Sequence, residues 1–468
     1  MIPRILLAYL VFMFYHWTVT AGFISFNFGR DQGGYYNLLI DGFLKGQLNL
    51  PLDPRPELLA LPDPYDPTLN APYRLHDASL YKGKYYIYFG PAPAITLFLP
   101  YFFIFHRHMS ENFAVFVFSY GGFLWLMGLL IYLRNKYFQQ IPEWKLLLGI
   151  AILAFASVIP YLLRRPGIWE VALASGFFYL SGSIYFFCRA FNSPIPRLWM
   201  LLLGSTFLGL AFASRASYVL ASVIILLILK RAFSPKIVLC ALFPFLLCLS
   251  LIAYYNYSRF NNPFELGTSY QLPADDIRQE KKFDIRRTST GAYFYLFHPP
   301  TINLNFPFVH LDSVNPPRPK WLHLTKPLRI EKIGGMFSVI PFTLLIFLMP
   351  LTCLTFEFFV IVLPAVLFMI VSFLLEGVTM RYLADFAPYF ILGACMVWFY
   401  IDCVLSSKLV LKRILNTITV TLALISIFFG IAYSIDGPYE CLLIENPKEY
   451  ARLERWVGPV SNFLRSSH

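Results

Sequence analysis

The feature that most limits what this chain can fold into is a succession of apolar runs separated by short basic turns. Twelve runs stand out, at about 5–28, 86–105, 112–133, 146–163, 168–188, 198–213, 217–230, 237–255, 336–352, 355–375, 386–403 and 414–434. A helix that crosses the hydrocarbon of a bilayer needs roughly 17–25 residues at 1.5 Å each. Most of these runs meet or approach that length. Of 468 residues, 57% are apolar and only 14% are charged, whereas a soluble domain carries about 25% charged residues. The expectation is an all-α membrane protein: a polytopic helical bundle of about 11–12 transmembrane helices with a juxtamembrane first outer loop.

The formal charge of +12 would suggest nucleic acid in a soluble protein. Here the basic residues fall in short turns and one long loop, so topology and anionic lipid explain them better, and no nucleic-acid partner is expected. Of the seven cysteines, six lie in or beside apolar runs and Cys441 lies in the tail, which is neither a disulfide framework nor a zinc spacing. The opening run after Arg4 imitates a secretory leader but is long and lacks an Ala-x-Ala cleavage pattern, so it reads as a retained span.

Basic turns mark the cytoplasmic side. Arg134-Asn135-Lys136 with Lys145, Arg189 with Arg197, Lys230-Arg231 with Lys236, and Lys408 with Lys412-Arg413 agree with one another. They put the loops 29–85, 256–335 and 376–385 and the tail on the opposite face. The chain then divides into an N-terminal transmembrane module 1–255 that includes the outer loop 29–85, an extracytoplasmic loop 256–335, C-terminal transmembrane helices 336–434, and an extracytoplasmic tail 435–468. This arrangement needs an odd number of crossings before 256, so one early run does not cross. The candidates are 86–105, broken by Pro91, Pro93 and Pro100, and the short pair 198–213 and 217–230. Irregular backbone at that depth is tolerated only against protein or a wet cavity.

Polar chemistry concentrates in the first loop. From Gln32 to Lys45 the residues Tyr35, Leu39 and Phe43, beside Tyr36, Ile40 and Leu44, recur every four positions, predicting a one-faced helix at headgroup level. Asp31 precedes it as an N-cap or as a carboxylate fixed for use as a base. Asp63 and Asp66, each next to proline, read as turn builders. Asp77 follows His76 and starts a stretch in which Lys82-Gly83 forms a tight turn between tyrosine-rich arms. A single histidine without a spaced second one does not make a metal site.

Arginines supply the complementary charge. Arg164-Arg165, Arg215, Arg259 and Arg381 fall at outer helix ends, where guanidinium groups can snorkel or bind phosphate bidentately. Asp385 stands one helical turn after Arg381 and is expected to orient it. Glu170, on the same outer turn as Arg165, reads as a structural partner. The aromatic start of the second loop, Tyr254 to Tyr270, suits membrane anchoring or sugar stacking, and Gly334-Gly335 suits a close re-entry.

The segments Asp31-Gln32-Gly33-Gly34-Tyr35-Tyr36, Asp77 to Pro91, Tyr255 to Gly267 and Arg381-Tyr382-Leu383-Ala384-Asp385-Phe386 carry a resemblance. In architecture and in these motifs the chain resembles the membrane-embedded superfamily C glycosyltransferases, and more closely a bacterial group of largely uncharacterised membrane proteins near that class. The resemblance implies a sugar moved from a polyprenyl-phosphate donor to an extracytoplasmic cell-envelope glycan or lipid, in the bacterial inner membrane. Asp31 would be the catalytic base. Asp77, Arg165, Arg259, Arg381, Asp385 and Tyr35 would contact substrate, with Arg381 first among the phosphate-holding groups. Several members carry an acidic residue where Gln32 stands, so no cofactor is required and a divalent metal, though compatible, has no support. Two other readings use the same features: an O-antigen polymerase or ligase type that depends on the second loop, and a transporter or flippase of a lipid-linked glycan.

Overall fold

The computed structural model describes residues 2–26, 34–274, 283–311, 329–349, 354–375, 377–438 and 441–466. Among the described residues seven helices are long and apolar enough to cross a membrane, so this is a multi-pass membrane protein. Four further segments complete the bundle. Leu198–Ser214, at 17 residues, covers about 25 Å. The other three are broken: Glu143–Ala151 continues through a π-helical turn into Ile159–Arg164, Ala216–Ser222 into Val223–Arg231, and Met336–Val339 into the 3₁₀ stretch Pro341–Leu348. The 3₁₀ geometry is a way of spanning distance with few residues, since it rises about 2.0 Å per residue.

Side-chain pairs identify the two ends of the bundle. At the basic-turn end, Arg4 pairs with Glu143 at 2.6 Å, Lys136 with Glu357 at 2.7 Å, and Lys145 with Asp402. At the first-loop end, Asn112 donates to the Val19 carbonyl at 3.1 Å and Arg259 to the Ile87 carbonyl at 2.6 Å. By the last of these contacts the chain leaves the Pro235–Phe260 helix for the 256–335 loop at the same end of the bundle as the first loop.

The non-crossing run is 86–105. Its start is fixed where the Gly90 amide donates to the Ser214 carbonyl at 3.2 Å. Just beyond its end, the Met109 carbonyl accepts from Asn37 at 2.8 Å. Both anchors sit at the first-loop end. Ala94–Phe98 forms a π-helical turn and Leu99–Phe105 a short helix, and Phe98 stacks on Tyr36 with centroids 5.4 Å apart.

After the first helix, α1 (Ile2–Val19), the amphipathic first-loop helix α2 spans Tyr35–Leu44, with Gly34 at its N-cap and no side-chain cap among the described residues. The helix begins three residues later than the apolar repeat implies, with Gly34 and not Asp31 in the N-cap position. Asp31 itself lies outside the described residues. The hairpin forms as read, β1 (Ser79–Tyr81) pairing antiparallel with β2 (Lys84–Tyr86), and Lys82 and Gly83 take φ of 50° and 72°, the left-handed pair a two-residue turn requires. Asp63 accepts from the Tyr65 amide and Asp66 caps Pro67–Asn70, so both build turns.

The first and second loops are joined. Ser79 bridges to Gln271, the Leu272 amide donates to the Ala78 carbonyl at 2.9 Å, and Ser79 Oγ donates to the Gly267 carbonyl at 2.8 Å. Further on, Arg329–Ile330 pairs in parallel with Gly377–Val378. Gly335 lies against the backbone of Phe297 and His298, leaving no room for a Cβ, which accounts for the glycines at the re-entry.

Candidate active site

The first-turn tryptophan of the Ile168–Ala190 helix organises the polar end. Trp169 follows Arg165-Pro166-Gly167 and its indole donates to the Tyr88 hydroxyl at 3.0 Å. Two guanidinium groups lie over the ring, Arg381 at 5.2 Å and Arg165 at 5.7 Å from its centroid. His76 packs edge-on against it at 6.2 Å. Cations held over an indole face are attracted by its quadrupole.

Tyr35, Asp77, Arg165 and Arg381 are thus brought to one region by three separate stretches of chain. Tyr35 reaches across from α2 to donate to the His76 carbonyl. Burial, with Asp77 and Glu111 nearby, pushes its phenol well above the ordinary tyrosine range. Asp77 adopts the left-handed backbone, φ 58°, which aspartate tolerates better than most residues. Its carboxylate accepts from Gln271 at 3.0 Å and stands 3.7 Å from His76. Tyr88 is half-buried within electrostatic reach of Asp77, Tyr382 and Arg381, and desolvation pushes its phenol up as well.

Arg381 is oriented differently from expectation. Its guanidinium binds Glu170 at 3.3 Å and Glu331 at 3.1 Å. Burial opposes its charge, but the two carboxylates outweigh that and hold it firmly protonated. Asp385 turns the other way, receiving Arg215 at 2.7 Å and the Tyr218 hydroxyl at 2.7 Å. The reason is local geometry: Met380–Asp385 is a 3₁₀ segment, in which i and i+4 do not share a face as they do in an α-helix. Glu170 also finds Arg381, from a distant part of the chain, as its ion-pair partner.

Arg259 lies apart from the Trp169 cluster, beside a cavity of about 160 Å³. Arg215, Ser217, Tyr255, Asn256 and Thr268 line the polar part, and Phe212, Ile252 and Pro91 the apolar part. Tyr88 borders this cavity and also binds Trp169, so it joins the two regions. Arg259 donates to the Ile87 carbonyl at 2.6 Å and to Asn256 at 2.7 Å, and lies over Tyr255 at 3.9 Å. Among the described residues its Nε has no hydrogen-bond partner, nor do Ser217 Oγ and Tyr255 Oη. Tyr36 connects α2 to this region, its phenol lying near Glu111, Tyr255 and Arg215.

Trp169, Tyr88, Glu331 and Glu111 escaped the sequence reading. A tryptophan at a helix end reads as an interfacial anchor, and a tyrosine among tyrosines carries no distinguishing signal. Glu111, first in its helix after Ser110, reads as a helix-start acid; only folding sets its carboxylate against Gly34. Among the described residues no three histidine, cysteine or acidic side chains gather to hold a metal.

No family model matches the chain, and no curated protein matches it. Two solved structures of an oligosaccharyltransferase from Archaeoglobus fulgidus align with 95% of it. The apo form aligns at 12% identity and TM-score 0.48 over 56% of its own length. The form tethered by a disulfide to an acceptor peptide containing the NVT sequon aligns at 11% identity and TM-score 0.41 over 55% of its length. The chain spans about half the length of these proteins.

Proposed function

We propose that this protein is a membrane glycosyltransferase of superfamily C that moves a sugar from a polyprenyl-phosphate donor to an extracytoplasmic cell-envelope acceptor. The observation that carries the reading is the pairing of two surroundings through Tyr88. One is a polar cluster bearing Asp77, His76 and Trp169. The other is a cavity with two guanidinium groups near the outer helix ends and Phe212 and Ile252 on its apolar wall. An amphipathic donor, with phosphate between an isoprenoid tail and a sugar, needs these surroundings in this order.

The chemistry asks little of the protein. An acceptor hydroxyl becomes a competent nucleophile when a carboxylate takes its proton, and the lipid phosphate leaves readily if positive charge stands near it. The anomeric carbon–oxygen bond to phosphate breaks, the glycosidic bond forms, and the proton passes through the base to water. Asp31, three residues ahead of Gly34, is assigned the base. Arg215 and Arg259 face the phosphate, and the Trp169–His76 surface accommodates the sugar beside Asp77. Arg165 lies over that same indole. Arg381, already bound to two carboxylates, shapes the site and is not the principal phosphate group. The test is Asp31→Asn: transfer from a lipid-linked sugar is lost while membrane abundance stays normal. Retained transfer in that variant removes the base.

A further inference from the structure

Resting on the glycosyltransferase reading, we infer that the donor carries a single phosphate between lipid and sugar, a monoanionic phosphodiester, and that a dianionic pyrophosphate donor is disfavoured. The argument is charge balance around the cavity. Of its lining side chains, only Arg215 and Arg259 bear charge. Arg215 is already neutralised by Asp385, which takes both of its contacts through one guanidinium nitrogen at 2.7 and 2.9 Å. Among the described residues Arg259 has no carboxylate in hydrogen-bond contact: it is held by the Ile87 carbonyl and Asn256, with Glu265 in electrostatic reach. Glu265 is itself occupied by the Gly267 amide and the Ser269 hydroxyl. The surroundings therefore offer about one uncompensated positive charge.

The hydrogen-bonding capacity points to the same size of anion. Arg259 is 4% exposed with Nε unpartnered, and Ser217 Oγ and Tyr255 Oη are buried without partners. Buried polar groups left unpaired are costly, and three donors can be satisfied by the two free oxygens of one phosphodiester, each of which accepts more than one hydrogen bond. A second phosphate inside the cavity would bring a further negative charge that no further cation among the described lining residues meets, in surroundings partly walled by Phe212 and Ile252, where an unpaired charge is strongly disfavoured.

The test compares two short-chain lipids on the full-length protein in nanodiscs: a polyprenyl methyl phosphodiester, with one charge, and the corresponding methyl pyrophosphate diester, with two. The expected result is at least tenfold tighter binding of the first. Arg259→Gln loses at least tenfold of that affinity, and Arg259→Lys, which keeps the charge but not the planar fork, loses less. Glu265→Gln, which removes a nearby negative charge while keeping an oxygen for the Gly267 amide, narrows the preference. Unliganded melting temperatures of all three variants separate folding defects from binding defects. Equal or tighter binding of the pyrophosphate overturns the single-phosphate inference and leaves Asp31-dependent sugar transfer standing. Unchanged binding in a folded Arg259→Gln also overturns it. Failure to bind either lipid removes the polyprenyl-phosphate donor as well.

Discussion

Replacing Arg381 with methionine strips a buried carboxylate of its partner, and the structure indicates what that costs. Glu170 is 2% exposed and Glu331 is 27% exposed. Glu331 can turn to water, so its lost pairing is worth about 0–1 kcal/mol. Glu170 cannot, and an uncompensated buried charge costs about 3–5 kcal/mol. Arg381→Met is therefore expected to destabilise the protein by about 3–5 kcal/mol, most of it traceable to Glu170. Adding Glu170→Gln removes the stranded charge, so the double variant recovers a large part of the loss, with a coupling of about 2 kcal/mol or more in a double-mutant cycle. Glu331→Gln alone costs about 1 kcal/mol at most. The assay is reversible unfolding in mixed micelles, followed by tryptophan fluorescence. An Arg381→Met variant within about 1 kcal/mol of the native protein, or a double variant no more stable than the single, would refute the assignment of Arg381 as the tie between these segments.

Substitutions at two further positions test how the first loop is seated. Gly90→Ala drives a Cβ into the Ala213 carbonyl, and overpacking against rigid backbone is expected to cost about 1–3 kcal/mol or more, read as lower thermal stability and loss of the solubilised monodisperse species. Asp77→Ala gives up the Gln271 hydrogen bond and places an alanine at φ 58°, so it should lose about 1–3 kcal/mol. Asp77→Gly relieves the backbone term and should lose less, which thermal unfolding of the pair can compare.

Much of the fold was legible because membrane crossings are specified by long, simple patterns. The run 168–188 became Ile168–Ala190, and 386–403 became Ala387–Val404. Parity of the basic turns required one early run not to cross, and the prolines of 86–105 named a candidate that the Gly90 and Met109 contacts then identified. Arg165, Arg215, Arg259 and Arg381 share an end of the bundle with the first loop. What the sequence could not carry was pairing across distance. Arg381 has an acid four residues on and binds two others instead, because its segment is 3₁₀; Glu170 and Glu331 reach it from elsewhere in the chain. Trp169 became central through neighbours 81 and more than 200 positions away, Tyr88 and Arg381, and no local signal marks such a residue. The start of α2 was misplaced for a related reason: the apolar repeat sets the helix face but not its first residue.

The central claim is that donor phosphate and sugar occupy adjoining regions on either side of Tyr88. An electron cryomicroscopy map of the protein in a nanodisc with a non-transferable lipid phosphosugar tests it most directly. The account predicts phosphate density between Arg215 and Arg259, tail density against Phe212 and Ile252, and the sugar against Trp169 and Asp77. Donor density on another flank of the bundle, or a phosphate bound by Arg381 with the Arg215–Arg259 cavity empty, would contradict it.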